Sequence, residues 1–445
     1  MYRIFSVDDH VVEPADTWSS RVPARFVDRA PHVIDEGGRE FWVYEDQRIL
    51  TMGLNAVAGR PPEEWSLEPA RFSDMIPGCY DPAERARDML SQGVLASVCF
   101  PTLPRFGGML FNSFKDKELA DHCVRAWNDF ILDEWCAGGP EGMFVPMMIC
   151  QVWDPELAAA EVRRTAAKGA RALCFTENPV PDGLPGFYGD HWDPLWDAVT
   201  DTGMPVCMHI ASSGYVPMPD PQAGLGSAIV LGNVGAMMSL VNMILSPVPH
   251  KFPTIQFVYS EAGIGWIPAF LERTDRQVQR QRWAGLDRGL KPSEVYARNI
   301  SVCMIEEPVG LKYYDDIGID RILMETDYPH SDSTYPWTQK SCEEVFAGIP
   351  DDVVEAVTHD NAERLFNWKM ADEALLGSPD VSLWRATLEH DPFAAQRRSH
   401  SIPGVTKVGS PTTPTCDERI LSGSNFVRCD QPLDERGSCP VGHRP

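Results

Sequence analysis

Short apolar runs alternate with helical patterns along most of this chain. Eight such runs, four to eight residues long, are each followed by a helical pattern or by an insertion. The predicted strands cover residues 2–7, 95–100, 143–150, 170–175, 205–210, 255–260, 300–304 and 321–326. Continuously apolar strands alternating with helices indicate a parallel sheet, and eight units predict an α/β fold of the (β/α)8 TIM-barrel type. A doubly wound open sheet is the alternative, but no glycine-rich phosphate loop follows a strand.

Three of the predicted helices begin with the dipeptide Asp-Pro, at Asp81, Asp154 and Asp193. Asp is a preferred N-cap residue, and Pro is favoured at the first helical position. Other helical patterns cover residues 115–135, 227–245, 267–279, 310–317, 339–347 and 351–367. These helices lie between the strands, as a barrel requires.

Two segments depart from this alternation. Residues 14–80 are rich in Pro, Trp and charge, and contain one hairpin pattern, residues 41–44 and 49–52. An insertion of this size after the first strand is expected to form a cap over a strand mouth. Residues 376–445 are rich in Pro, Ser, Thr and Arg and predict a non-globular C-terminal arm. We therefore expect a barrel domain over residues 1–375, and an arm suited to wrapping around a second subunit of a homodimer.

Composition and charge narrow the function classes. The 445 residues are 43% hydrophobic and carry a net charge of -25, which disfavours nucleic acid or an anionic membrane as partner. No apolar run is long enough to span a bilayer, and the N-terminus enters a strand directly, without a signal-peptide pattern. The 12 cysteines lack paired spacing, which suits reduced thiols. We expect a cytoplasmic protein with a small-molecule substrate.

The strand ends carry the candidate chemistry. Asp8 and His10 are two residues apart on the first strand and therefore face one side. In a barrel, catalytic groups lie at the C-terminal ends of the strands. Further groups of metal-ligating type occur at four later strand ends: Glu177, His209, Glu261 and Asp327. Together the six groups predict a divalent-metal site.

Each residue also has a simpler interpretation. His209 could be a core histidine, and Asp327 an ordinary turn residue. Glu177 could cap the turn at residues 178–179, and Glu261 could orient backbone amides before two glycines. Glu13 could reach the metal rim or only anchor Pro14. The shared barrel face favours the functional interpretation for Asp327, His209 and Glu261. His330, three residues after Asp327, is a candidate proton carrier.

Several of these motifs resemble the amidohydrolase superfamily. They are the Asp8-x-His10 pair, the lone His209, and the segment Thr326-Asp-Tyr-Pro-His330. Residues 261–268 and 327–336 are similar to the late motifs of the amidohydrolase-related branch, which includes aminocarboxymuconate semialdehyde and resorcylate decarboxylases. The resemblance covers residues 1–368.

The resemblance implies a divalent metal held by Asp8, His10, His209 and Asp327. Asp8 replaces the first His of the usual His-x-His motif, and Glu261 replaces the usual sixth-strand His. These oxygen ligands favour Fe or Mn, with Zn possible. In two-metal members a fourth-strand carboxylate bridges the ions, and Glu177 stands at the matching position. A single ion needs four or five of the six groups; we favour two ions.

The function we expect first is a metal-dependent hydrolase. A metal-bound hydroxide would attack an amide, ester, lactone or acyl thioester, with Asp327 accepting its proton and His330 or Glu261 assisting the leaving group. The large insertion would suit an organic acid or an acyl-CoA. One alternative is non-oxidative decarboxylation of an aromatic or unsaturated carboxylic acid. A second is a catalytically silent barrel that acts as a binding protein, in which the predicted ligands would not converge.

Overall fold

The computed structural model describes residues 1–50, 56–65, 71–215, 217, 218, 220, 222, 224–398, 404, 406–408, 419–422 and 425–428. Its strands are β1 Ile4–Val11, β2 His32–Glu36, β3 Arg39–Tyr44, β4 Gln47–Leu50, β5 Val94–Pro101, β6 Phe144–Val145, β7 Met147–Met148, β8 Ala172–Phe175, β9 Val206–His209, β10 Phe257–Ser260, β11 Ile300–Met304, β12 Ile322–Met324, β13 Thr406–Val408, β14 Arg419–Ser422 and β15 Asn425–Arg428. Its α-helices are α1 Pro82–Ser91, α2 Met109–Asn112, α3 Lys117–Phe130, α4 Pro155–Lys168, α5 Asp193–Thr202, α6 Gly224–Val230, α7 Gly232–Leu245, α8 Val248–Lys251, α9 Ile267–Arg280, α10 Pro292–Asn299, α11 Tyr314–Ile317, α12 Thr338–Val345, α13 Asp351–Glu355, α14 Asn361–Phe366 and α15 Pro379–His390. Short 3-10 and π-helical segments join or extend several of them.

The predicted parallel sheet is present, with its strands in sequence order. Strands β1, β5 and β6 form one parallel ladder, and β7 to β12 form a second. Strands β6 and β7 are the two halves of the predicted third strand, separated by Pro146, which lacks an N–H for the ladder. At the seam between β12 and β1, Asp327 N–H donates to the Asp8 carbonyl oxygen at 2.9 Å, and His10 N–H donates to that of Tyr328 at 2.7 Å. The α/β fold with a parallel sheet is confirmed and is consistent with a TIM barrel.

The strands of the parallel sheet are buried, and outside β1 nearly all of their side chains are apolar. All eight residues of β1 and all eight of β5 are buried. Helices cover the outside of such a sheet, so both faces lose water and a continuous apolar run is favoured over an alternating one. The side chains that form metal-ligand candidates are therefore polar exceptions in an apolar framework.

The helix starts agree with the sequence where an Asp caps them. The Asp81 side chain accepts hydrogen bonds from two backbone amides of α1, and Asp154 does the same at α4. Asp193 differs, because it is the first residue of α5 and not its cap. The predicted helix 227–245 is divided at Leu231 into α6 and α7, and α10 was not predicted at all.

The insertion after β1 contains a small sheet of its own. The predicted hairpin is confirmed as β3 and β4, and β2 extends it as a third antiparallel strand that the sequence analysis did not identify. Val57 and Ala58 donate their N–H groups to the carbonyl oxygen of Pro329, each at 3.0 Å. The insertion thus reaches the loop that follows β12, while its role as a cap over the mouth stays a prediction.

The C-terminal segment corrects one expectation. Residues 376–398 are not a non-globular arm, because they include the three-turn helix α15, which packs beside α1. Its buried residues Val381, Trp384 and Leu388 recur at helical spacing, within a composition that otherwise suggests a linker. β13 also pairs in parallel with β2. The prediction for most of residues 399–445 lies outside the described residues.

The described part of the chain also bears on compartment and thiol chemistry. None of its helices combines the length and the apolar character that crossing a membrane would demand. Its nine cysteines are free thiols, and eight of them are buried. Burial raises the pKa of the Cys79 thiol to about 12, so this thiol is protonated and unreactive at neutral pH. A cytoplasmic location stays a prediction.

Glu13 has a structural position and does not point toward a metal. Its carboxylate accepts hydrogen bonds from the backbone N–H groups of Thr102 and Leu103, at 3.0 and 2.9 Å, and from Trp127 Nε1 at 2.9 Å. These contacts join the end of β1 to the loop after β5 and to α3. Burial outweighs the three donors and raises the pKa of Glu13 from 4.5 to about 7.

This pKa gives Glu13→Gln a defined pH dependence. The folded protein holds the Glu13 proton more tightly than the unfolded chain, so the stability that this group contributes falls as pH rises from 4.5 through 7. Relative to the variant, wild-type stability is expected to fall by up to roughly 3 kcal/mol over that range. Urea unfolding followed by tryptophan fluorescence at several pH values measures this difference. Glu389→Gln, at an exposed position, is the control; a difference that stays constant or rises with pH would contradict the assignment.

Candidate metal centre

A β-bulge in β1 affects where the side chains of Asp8 and His10, the first two ligand candidates, point. The strand extends to Val11, beyond the predicted apolar run of residues 2–7, so Asp8 and His10 lie within it. Ser6 pairs with Ser97, and Asp9 with Cys99, so β1 carries one more residue than β5 over this interval. Such a bulge changes where the neighbouring side chains point and is common beside active sites.

The side chains from four strand ends converge at this point. Candidate ligand atoms of Asp8, His10 and His209 all lie within 4.8 Å of one another, as do those of His10, Glu261 and Asp327. His209 Nε2 is 3.3 Å from Asp8 Oδ2 and 3.4 Å from Glu261 Oε2. His10 Nε2 is 2.8 Å from Asp327 Oδ1 and 3.8 Å from Asp8 Oδ1. The structure therefore brings five of the six predicted ligands together, which contradicts the silent-barrel alternative.

Several of these atoms are buried without a hydrogen-bond partner. They are both oxygens of Asp8, His10 Nε2, His209 Nε2, Glu261 Oε1 and Asp327 Oδ1. His10 Nε2 and Asp327 Oδ1 are close but do not form a hydrogen bond, because their geometry does not direct an N–H at the oxygen. Orphaned polar atoms are rare in folded proteins. A cluster of lone pairs converging in this way fits a cation bound between them.

The charge of the cluster supports the same conclusion. Burial, followed by repulsion from Glu325, Glu261 and Asp327, raises the pKa of Asp8 well above its usual value. Burial and the repulsion of Asp327 likewise raise the pKa of Glu261. The buried carboxylates outnumber the positive groups beside them, of which His330 is the one near Asp327 and Glu261. A divalent cation would supply the missing positive charge, and the mixed oxygen and imidazole donors suit a first-row metal such as Mn or Fe.

The two candidate imidazoles are held in the neutral form that binds metals. Burial lowers the pKa of His209 to about 3, and it also lowers the pKa of His10. His209 Nδ1 is 2.7 Å from the Ile210 carbonyl oxygen, so Nδ1 carries the hydrogen and Nε2 keeps its lone pair toward Asp8. The Phe106 ring stacks on His209 with a centroid distance of 3.9 Å. The hydrogen bond at Nδ1 and the stacked Phe106 ring thus fix the orientation of the His209 imidazole.

His330 forms a pair with Asp327 at the edge of the cluster. His330 Nδ1 lies 2.8 Å from Asp327 Oδ2, while the other oxygen of Asp327 faces His10. Burial alone would lower the pKa of His330, but the charge of Asp327 raises it. Conversely, burial alone would raise the pKa of Asp327, but His330 and His10 hold it well below its usual range. The pairing therefore favours the protonated form of His330 and the ionised form of Asp327.

Glu177 is the predicted ligand that stands apart. Among the described residues it belongs to neither group of converging ligand atoms. Its Oε1 accepts from the Ser213 hydroxyl at 3.0 Å, and its Oε2 is buried without a partner. Burial raises the pKa of Glu177 to about 7. A bridging role for Glu177, and with it a second ion, stays a prediction.

The backbone at this end of the barrel is held in an uncommon conformation. Ala211, Glu261 and Asp327 have φ values of 58°, 51° and 50°, in the left-handed region that non-glycine residues rarely adopt. These residues follow β9, β10 and β12. Such strain is concentrated at functional sites, where the surrounding structure maintains it.

Sequence reasoning gave no role to two buried carboxylates that position the ligands. Both oxygens of Glu325 lie within 3.2 Å of the Glu261 backbone N–H and hold that residue in its left-handed conformation. Asp9 Oδ1 accepts from the Thr326 hydroxyl and from Tyr328 N–H, each at 2.8 Å. Their adjacency to Asp8 and Thr326 was visible in the sequence. Their contacts depend on the bulge in β1 and on the turn after β12, and neither feature was visible in the sequence.

The sequence profile of a family described as amidohydrolase matches residues 26–368. The chain belongs to the amidohydrolase family. The match confirms the family resemblance, but it begins after the first strand and does not include Asp8 and His10. No curated protein sequence matches the chain.

Solved structures share the fold at low sequence identity. An amidohydrolase from Mycobacterium avium subsp. paratuberculosis K-10 is 22% identical, with a TM-score of 0.65, over 82% of this chain and 99% of its own. A 5-carboxyvanillate decarboxylase from Sphingomonas paucimobilis is 24% identical, with a TM-score of 0.50, over 64% and 83%. A dihydroxybenzoic acid decarboxylase from Polaromonas sp. JS666, with bound manganese and the inhibitor 2-nitroresorcinol, is 18% identical, with a TM-score of 0.55, over 82% and 97%. At these identities the similarity shows a shared fold.

Proposed function

We propose that this amidohydrolase is a metal-dependent, non-oxidative decarboxylase of an aromatic or unsaturated carboxylic acid. The observation that carries the proposal is the position of Asp327, whose two oxygens face the candidate ligand His10 and the candidate proton carrier His330. One carboxylate thus joins a cation site to a proton carrier, which is what replacement of a carboxylate by hydrogen requires. Two of the three structural relatives described above are aromatic acid decarboxylases.

The donor set fits one divalent cation, and manganese is the ion found in the Polaromonas relative. Asp8, His10, His209 and Asp327 would hold it, and Glu261 is close enough to His209 to complete the set. The bound cation would neutralise the substrate carboxylate and an adjacent oxygen. We propose a single ion, since Glu177 lies outside both groups of converging atoms.

The wall beside the site suits a planar substrate. This wall is the Phe106 ring, which is partly exposed and lies parallel to His209, whereas Phe100, which meets the same imidazole edge-on at 5.5 Å, is fully buried. Aromatic side chains pack favourably against aromatic ligands in offset or edge-to-face arrangements. This wall supports an aromatic acid over an aliphatic one.

The reaction balances with groups that the chain supplies. The bond between the ring carbon and the carboxylate breaks, carbon dioxide leaves, and the electron pair stays on the ring carbon. His330 provides the proton that forms the new C–H bond, and Asp327 holds the imidazole in place through Nδ1. Solvent then returns a proton to His330. No oxidant or reductant is required.

A substrate panel separates this proposal from hydrolysis. Purified protein loaded with Mn²⁺ is incubated with dihydroxybenzoates and 5-carboxyvanillate, and in parallel with aryl esters, lactones, amides and an acyl-CoA. We expect carbon dioxide release from at least one hydroxybenzoate, at a rate above that of every hydrolytic substrate. Thioester or ester cleavage without carbon dioxide release would restore the hydrolase expectation. The homodimer and acyl-CoA expectations stay predictions.

A further inference from the structure

Helix α15, beyond the family match, packs against the helix behind the metal centre. Trp384 is 8% exposed, and the guanidinium groups of Arg87 and Arg398 lie 5.0 and 4.9 Å from the centroid of its ring. Its indole Nε1 donates to Asp88 Oδ1, in α1, at 2.7 Å. A buried indole N–H needs such a partner, and a buried carboxylate needs donors, so this contact satisfies both groups.

Asp88 connects Trp384 to Tyr328 through a second hydrogen bond. Its other oxygen, Oδ2, accepts from the Tyr328 hydroxyl at 2.7 Å, and both residues are buried. The space around this bond is full, since a Cβ on Gly78 would lie 2.3 Å from the Tyr328 hydroxyl and 2.7 Å from Asp88 Oδ2. The hydroxyl therefore cannot move without displacing its neighbours.

Tyr328 is in turn hydrogen-bonded to β1, the strand that carries His10. It directly follows Asp327, and its carbonyl oxygen accepts from His10 N–H at 2.7 Å. Arg85, also on α1, lies over the Tyr328 ring at 4.3 Å and donates to the His10 carbonyl oxygen. Helix α1 thus contacts both β1, which carries His10, and the loop that carries Asp327.

We propose that Trp384 is a positioning residue of the metal centre. It acts through Asp88 and Tyr328, which hold His10 and Asp327 in place. The inference rests on the proposed function in one respect, because it requires that these ligands bind a cation. Groups that orient metal ligands through hydrogen bonds affect metal affinity even though they do not touch the metal. The buried face of α15, which carries Trp384, is then part of the site's framework.

A second contact anchors the helix. Arg385 Nε donates to the Ser91 carbonyl oxygen at 3.0 Å, and its Nη2 reaches the carbonyl oxygens of Leu90 and Leu376. The last carbonyls of α1 lack partners within the helix, and a cation at that end is favourable. Arg385 therefore keeps α15 in register with α1.

The main test is the Mn²⁺ affinity of full-length Trp384→Phe, which keeps the ring but loses the N–H. After chelation, titration against a metal indicator is expected to show a dissociation constant raised about 10-fold over wild type. Leu383→Ala, at an exposed neighbouring position, should leave the affinity unchanged. A role limited to stability would lower the urea midpoint of the metal-free protein and leave the Mn²⁺ affinity at the wild-type value, which would overturn the inference.

A double-mutant cycle tests the route. Tyr328→Phe removes the inner bond to Asp88, so combining it with Trp384→Phe should weaken Mn²⁺ binding little more than Tyr328→Phe alone. Fully additive losses would show that Trp384 does not act through Asp88 and Tyr328, and would overturn the proposal.

Arg385→Ala keeps the inference testable if Trp384→Phe does not fold. We expect this variant to raise the Mn²⁺ dissociation constant at least about three-fold, below the range for a direct orienting partner; an unchanged affinity would overturn the inference. Mn²⁺ binding by the wild type distinguishes failure of the proposed metal site from failure of this inference alone. If the wild type binds no Mn²⁺, the proposed metal site and this inference both fail, whereas wild-type binding with unaffected variants removes only the inference.

Discussion

His209→Ala is expected to lower Mn²⁺ affinity by at least about 100-fold, beyond the effect of removing a residue that only orients a ligand. His209 Nε2 lies between Asp8 and Glu261, and its ring is fixed by Ile210 and Phe106. Without His209, the buried carboxylates of Asp8 and Glu261 would remain, but the cation would have one neutral ligand fewer. Equilibrium dialysis followed by elemental analysis measures the loss.

His390→Ala, at an exposed position at the end of α15, is the matched control and should retain wild-type metal content. Retention of full Mn²⁺ affinity by His209→Ala would show that the fifth-strand histidine is a core residue. That outcome would return His209 to the simpler interpretation that its apolar strand allowed.

His330→Asn is expected to lower kcat by about 10² to 10⁴-fold while metal content stays at the wild-type level. The Asn amide can occupy the place of Nδ1 and keep the hydrogen bond to Asp327 Oδ2, but it cannot transfer a proton. Carbon dioxide release under saturating substrate, with metal content measured on the same sample, gives both quantities. The expected pattern is lost turnover without lost metal.

His122→Asn, on the half-buried face of α3, controls for the substitution itself. Wild-type turnover in His330→Asn would assign the proton to another group, with Glu261 the first to examine because its Oε1 lies 3.6 Å from His330 Nδ1. Loss of metal together with turnover would instead make His330 part of the ligand framework.

The strand-end residues could be predicted because two simple regularities coincide there. Apolar runs mark the strands, and a parallel barrel brings all their C-terminal ends to one face. Asp8, His10, His209, Glu261 and Asp327 could therefore be grouped without knowing any distance, and the structure brings them together.

The remaining features depend on geometry that the residue pattern does not encode. The bulge in β1 shifts its side chains relative to β5, and the turn after β8 directs Glu177 toward Ser213. Both follow from backbone conformation and not from residue type. Helix α15 was missed because its three buried residues are few and belong to a segment whose overall composition suggests a linker.

Decarboxylation that depends on the metal is the central claim, and one titration tests it directly. Chelator-treated protein is titrated with Mn²⁺ in D₂O, with the most active hydroxybenzoate of the panel, and carbon dioxide and product deuterium are measured together. We predict that carbon dioxide release rises to a plateau near one Mn²⁺ per chain, and that each product carries one deuteron at the carbon that lost its carboxylate. Carbon dioxide release without metal, or a metal-dependent reaction that cleaves an ester and releases none, would contradict the account.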